Sequence, residues 1–293
     1  MGTSIVEAII DGVLTGGVYA LMAAGLTLIF GVMDIINIAQ GIFVVLGGYL
    51  SYELAVHAGI DPFLGLLVTI PALFVLGLGV EWGFIRRLGE SDRTAMSILV
   101  TYAVSIIIEG VLNSAFTVNY VQIHAWYVDR SVHIFGFYLA YIYLFGFVMA
   151  AVLLVALYAL LYRTRFGASV RASLQDRTAA RLVGIDVRRV STICFGIGVA
   201  VTAAGGMVFG ATNDFNASSS YDLISRLLAI VILGGLGSMG GALVAAVFML
   251  VLEDVVAVVW SPIWATAVFF AALVVVLSLR PAGLFGRQVA RAQ

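Results

Sequence analysis

Apolar runs approaching or exceeding the length needed to cross a bilayer recur along almost the whole chain, and that repetition constrains the fold more than any single motif. A helix needs about 20 mostly apolar residues to cross about 30 Å of hydrocarbon. Runs of that order cover residues 5–30, 42–57, 63–84, 94–116, 138–162, 190–210, 242–259 and 263–279. A further one, Leu227–Leu233, is too short to cross alone, so the stretch 225–236 has to cross or nearly cross for the sidedness to work. Soluble domains carry roughly a quarter of their residues charged. This chain of 293 residues has 11% charged and 62% hydrophobic. It therefore reads as one all-α polytopic membrane domain over residues 1–293, a bundle of about 8–9 transmembrane helices with broken segments. The net charge of -1 says nothing about partners.

Sidedness comes from arginine. All fifteen basic residues are Arg, and they cluster at 86–93, 163–189 and 280–291, with only Arg130 and Arg226 outside. Short loops rich in Arg stay on the cytoplasmic side, so these positions point to topology and contact with anionic lipid rather than to nucleic acid. The expected N-terminus, which starts with Glu7 and Asp11 and has no basic leader, is then periplasmic, and the C-terminus is cytoplasmic. Cys194 lies in an apolar run and reads as a buried structural thiol.

The segment 163–189 holds seven of the fifteen arginines. Asp176 is placed to cap a short helix over 177–183, and Gly184 to end it in a left-handed turn. With Ala179, Ala180 and Arg181 this makes a compact knob suited to a groove on another protein. The alternative is a solvated loop whose arginines only enforce topology.

Polar residues inside apolar surroundings mark a second candidate region. Asp34, Asn37 and Gln40 are spaced three apart in GVMDIINIAQG, which on a helix gathers them near one face. They line either a broken helix along a path through the membrane or a polar loop at its edge. The stretch 28–50 has an echo at 228–250, where GGLGSMGG interrupts the apolar run and makes Gly234, Gly235 and Gly237 candidates for the same path. Paired interrupted segments in two halves point to a substrate route. Glu81 is expected to pair with Arg86, Glu109 to lie shallow, and Glu253 and Asp254 to sit near the outer face. Residues 117–137, with His124, Asp129 and His133, read as one external loop and 211–225 as another.

Neither a GxxxxGK[ST] phosphate loop nor a zinc or nucleophile signature occurs in the sequence. If transport is active, another chain supplies the energy. The competing class is a self-sufficient secondary carrier or channel, for which Asp34 and Glu109 are the only candidate buried acids.

Three blocks carry a resemblance: GVYALMAAGLTLIFGVMDIINIAQGIFVVLGGYL, RTRFGASVRASLQDRTAARLVGIDV and LGGLGSMGGALVAA. Together they resemble the membrane permease of branched-chain amino acid ABC importers, the LivH class, over nearly the whole chain. The resemblance implies a type II-like importer bundle, although fewer spans are counted here than the ten of some relatives. It implies a sister permease of the LivM kind, two cytoplasmic ATPases that use ATP and Mg, and a periplasmic substrate-binding protein, with no cofactor held by this chain. Leu, Ile or Val is the implied substrate; urea, amides and aromatic acids remain open. Residues 178–184 are similar to the loop through which such permeases dock on their ATPases. Ala179, Ala180 and Gly184 match that pattern, and Thr178 stands where many permeases have Glu.

Overall fold

The computed structural model describes residues 2–89, 93–128, 130–134 and 137–286. Eleven helices and one hairpin are present among them: α1 (Gly2–Met33), α2 (Gln40–His57), α3 (Pro62–Gly83), α4 (Arg93–Phe116), β1 (Ser131–Ile134), β2 (Phe137–Ala140), α5 (Tyr141–Arg163), α6 (Arg165–Gln175), α7 (Arg177–Leu182), α8 (Val187–Thr212), α9 (Ser220–Gly234), α10 (Met239–Val259) and α11 (Pro262–Leu279). Among the described residues, eight helical stretches are long and apolar enough to cross a membrane. The protein is an all-α polytopic membrane protein.

The helices start where the sequence supplies a cap. Asp61 accepts the Phe63 amide at 2.9 Å with Pro62 as first helical residue, and Ser261 does the same for Ile263 ahead of Pro262. Proline loses nothing there, because the first amides of a helix have no partner within it. Ser238 caps α10 through Gly241, and Asp186 caps α8 through Arg189.

α1 and α8 form the centre, each with 78% of its span buried, whereas only 11% of α11 is covered. α1 packs on α10, α8 and α5; α8 packs also on α2 and α3. In lipid, packing of this kind depends on small residues that let backbones approach. A β-carbon on Gly206 of α8 would run into the Val44 carbonyl and the Gly48 amide of α2.

The two ends of the bundle differ. At the end carrying the arginine clusters, Arg177 of α7 donates to the Met33 carbonyl at 3.4 Å, and Leu174 lies against Gly31. At the other end, Glu7 accepts the Tyr138 amide of β2, and Val121 exchanges two backbone hydrogen bonds with Phe215. The segment read as an external loop therefore holds a hairpin, with Ser131 opposite Ala140, while Asp129 lies outside the described residues. Burial, with the Asp61 carboxylate beside it, pushes the Tyr127 phenol up and marks how closely this segment packs on the α2–α3 turn.

Two elements depart from the sequence reading. The stretch 211–225 is not all loop. Helix begins at Ala217 as a 3-10 turn and runs on as α9, giving the 18-residue span Ala217–Gly234. Serines and Asp222 disguise its first turns, and the Asn216–Ser219 capping box starts it. The run read as 42–57 does form a helix, α2, but this helix is largely buried inside the bundle and is not one of the eight apolar enough to cross a membrane.

Candidate functional site

At the arginine end, α6 and α7 form a protrusion. Thr164 caps α6 through Gly167 at 3.0 Å, and Arg171 donates to the Leu161 carbonyl while its guanidinium lies 5.1 Å from the centre of the Tyr162 ring. Asp176 ends α6 and begins α7, accepting the amides of Thr178 at 2.7 Å and Ala179 at 3.0 Å. One carboxylate thereby satisfies two helix-end donors that nothing else would pair. α7 stops at Leu182, and Gly184 takes φ +86°. The Ile185 amide bonds the Ala180 carbonyl and the Gly184 amide that of Arg181, the paired closure of a Schellman end.

The sequence placed Ala179, Ala180, Arg181 and Gly184 in this knob, and the structure brings them together. Ala180 is buried in its base, and Ala179 and Gly184 are exposed. What the sequence reading missed is the tip: Leu182 and Val183 stand 84% and 76% exposed. Their signal was the register itself, since the two residues before a C′ glycine lie at the free end of so short a helix. Around the knob, a cavity of about 430 Å³ is lined by Glu81, Arg86, Arg93, Arg177, Arg181 and Arg188 among others. Glu81 does not pair with Arg86. It is buried, and it accepts the Thr192 hydroxyl of α8 at 2.7 Å.

The polar break after α1 comes apart in a way its spacing did not predict. Asp34 takes φ +53° and ends the helix, so the three polar residues do not share a helical face. Asp34 is exposed beside Arg93, Arg177 and Arg181 in an adjoining cavity of about 560 Å³. From there the chain climbs extended along α4, with the Ile36 amide donating to the Ser97 hydroxyl and the Ile38 amide to that of Thr101. Two extended residues advance about as far as four helical ones, which is why this pairing closes. Asn37 and Gln40 end fully buried; Asn37 Nδ2 donates to Gln40 Oε1 at 2.9 Å, and Gln40 Nε2 donates to the Gly198 carbonyl at 3.0 Å. They pin α2 to the middle of α8.

Gly234, Gly235 and Gly237 make the α9–α10 turn at the arginine end, away from Asn37 and Gln40. Gly235 and Gly237 have φ +97° and +82°, a region that costs other residues about 1–2 kcal/mol. The chain after α11 folds back on this turn, the Leu284 amide bonding the Leu233 carbonyl at 2.7 Å.

Toward the other end lies a polar chamber of about 270 Å³. Arg226 of α9 bonds Asp222 at 2.8 Å and Glu253 of α10 at 2.5 Å, its guanidinium 5.5 Å from the centre of the Phe269 ring. Glu253 thus serves Arg226, and Asp254 lines the same chamber.

A family model described as branched-chain amino acid transport system / permease component matches residues 8–277. The chain is 26% identical to the high-affinity branched-chain amino acid transport system permease protein LivH of Salmonella typhimurium, over 96% of this chain and 95% of that one. It is likewise 26% identical to the permease protein BraD of Pseudomonas aeruginosa over the same shares. A shorter match, 31% identical over 32% of this chain and 23% of the other, joins it to the permease protein LivM of Escherichia coli K12. No solved structure matches the chain. A bundle of membrane-spanning helices with one capped, glycine-ended knob at its arginine-rich end, matched over nearly its full length by one family, belongs to the permease components of branched-chain amino acid transport systems.

Proposed function

We propose that this chain is a membrane-spanning half of an ATP-driven importer for branched-chain amino acids in the bacterial inner membrane. In this reading the arginine end is cytoplasmic, with the C-terminus, and the N-terminus is periplasmic. A sister permease completes the membrane unit, a periplasmic binding protein delivers substrate to the hairpin end, and two ATPases that bind ATP and Mg grip α7. The observation that carries the reading is the knob. A six-residue helix capped at both ends, with Leu182 and Val183 exposed at its tip and arginines around its base, is a rigid apolar projection. Rigidity matters because a flexible loop would absorb a push from the motor, whereas a capped helix passes it on to α6 and α8.

The names of the relatives support leucine, isoleucine or valine as cargo. The test replaces Leu182 with Asp in the full complex. Co-purification of the ATPases, and uptake of labelled leucine into proteoliposomes loaded with ATP and supplied with the binding protein outside, should both fall, with the membrane level of this chain unchanged. ATPase recovery equal to wild type removes the docking role, and leucine uptake by the purified chain alone makes it a carrier instead.

A further inference from the structure

The lipid-facing surfaces of α3, α5 and α11 are apolar through the middle of the bundle, as Leu67 and Val75, Val152 and Val155, and Val274 and Val275 show. The face made by α4 and the start of α9 is different. Glu109 Oε2 accepts the Tyr221 hydroxyl at 2.5 Å at the surface of the protein, and Tyr221 is 43% exposed. Tyr102, two turns before Glu109 on the same face of α4, is exposed to the same degree, and Ser225, one turn after Tyr221, is exposed on α9. Asp222 has 56% of its side chain uncovered.

Glu109 and Tyr221 both lie inside helical stretches apolar enough to cross a membrane, Arg93–Phe116 and Ala217–Gly234. Glu109 lies sixteen residues from Arg93, about 24 Å along α4, and about 10 Å short of its far end. An independent depth comes from α9. The carbonyl of Ser220, next to Tyr221, sits against Gly41, whose neighbour Gln40 bonds the Gly198 carbonyl. Gly198 is eleven residues into α8, about 16 Å from its start and near the middle of the span. A carboxylate and phenols at such depth are not solvated by hydrocarbon and must meet protein or water. α4 packs on its own bundle through α2, the extended stretch 34–38 and the 3-10 turns at Ile85–Arg87 and Ala217–Ser219, and only 28% of its span is buried, which leaves most of its circumference to be covered from outside.

We propose that the outward face of α4 and the first turns of α9 is where the sister permease packs, holding Glu109 and Tyr221 against protein and water instead of lipid. The inference rests on the reading of this chain as one of a permease pair. Charge selects the occupant. A two-fold contact with a second copy sets the same patch on both sides, and near its axis it would bring Glu109 toward its own counterpart, where like charges in a medium of low dielectric repel strongly. A chain of the same fold with different side chains can present donors instead, and the match to LivM shows that this sequence shares ancestry with such a chain.

The test uses the complete complex in native membranes. A photoreactive residue replaces Gly110, where nothing of this chain lies within 4 Å of an added β-carbon; controls replace Val152 on α5 and Val274 on α11. Adducts between this chain and the sister permease should form from position 110 and not from 152 or 274. Labelling of lipid alone, or of a second copy, from position 110 overturns the surface, and does so without touching the permease-pair reading if the sister still co-purifies with the unmodified chain. Failure of the sister to co-purify with the unmodified chain sinks both. As a second measurement, Glu109→Leu combined with Tyr221→Phe should lower recovery of the sister while this chain stays in the membrane at its usual level. Unchanged recovery counts against the proposal.

Discussion

Arg226 shows what a single charge inside the bundle requires. Its guanidinium holds Asp222 and Glu253 and lies against the face of Phe269, and both its own side chain and that of Glu253 are nearly buried, at 14% and 12% exposed. Removing one member of such a pair leaves the other without a partner, which costs about 3–5 kcal/mol, whereas replacing both by apolar groups of similar volume is often neutral. Arg226→Met should therefore lower the melting temperature of the purified protein in detergent, and Arg226→Met with Glu253→Met should recover much of the loss. A double variant less stable than the single one would show that Glu253 is held by something else. Nothing in the sequence named this pair. Arg226 stood outside every arginine cluster, and Glu253 lies 27 residues away on the next helix, so only the packing of α9 on α10 joins them.

At the scale of an element, α7 depends on its two ends because six residues are far too few for a helix to hold itself together. Asp176 supplies acceptors to two amides at the start, and Gly184 supplies the left-handed turn at the stop. Asp176→Ala should speed amide exchange over 177–182, reflecting the loss of about 1 kcal/mol of capping. Gly184→Asn should be milder than Gly184→Val, since Asn tolerates the left-handed region and a β-branched residue does not. Equal exchange rates in the Asn and Val variants would mean that the turn opens at little cost. This element was legible in the sequence because capping is local chemistry, written in residues two to five apart. The break at Asp34 was not. A three-residue spacing implies a shared helical face only while the helix continues, and whether it continues was decided by Ser97 and Thr101, some sixty residues later, which offer their hydroxyls to an extended strand of chain. The partner of Glu109 was hidden for a similar reason: Tyr221, which α9 brings to it, lies 112 residues further along the chain.

For the whole molecule, two independent features place the described arginines of the three clusters at one end. The first is the path of the chain, in which the extended break after α1 and α2 together make a ninth crossing beside the eight apolar helices. α1 runs from the hairpin end to the arginine end, α5 and α8 flank the α6–α7 knob, and α9, α10 and α11 return the chain to where Leu284 caps the α9–α10 turn. The second is the bond between Arg177 and the end of α1, which fixes the knob to the same end as Asp34. The positive-inside rule turns this geometry into a sidedness, because short Arg-rich segments are retained in the cytoplasm. A single cysteine placed at Leu182 should react with a membrane-impermeant maleimide only after cells are opened, whereas one at His133 in the hairpin should react in intact cells. The chain's own Cys194 is buried and gives no background. Labelling at Leu182 in intact cells would reverse every span at once, since nothing in the bundle lets the knob change ends without the helices on either side. It would also leave the ATPases no surface to grip, so this one measurement bears on the fold's orientation and on the proposed coupling together.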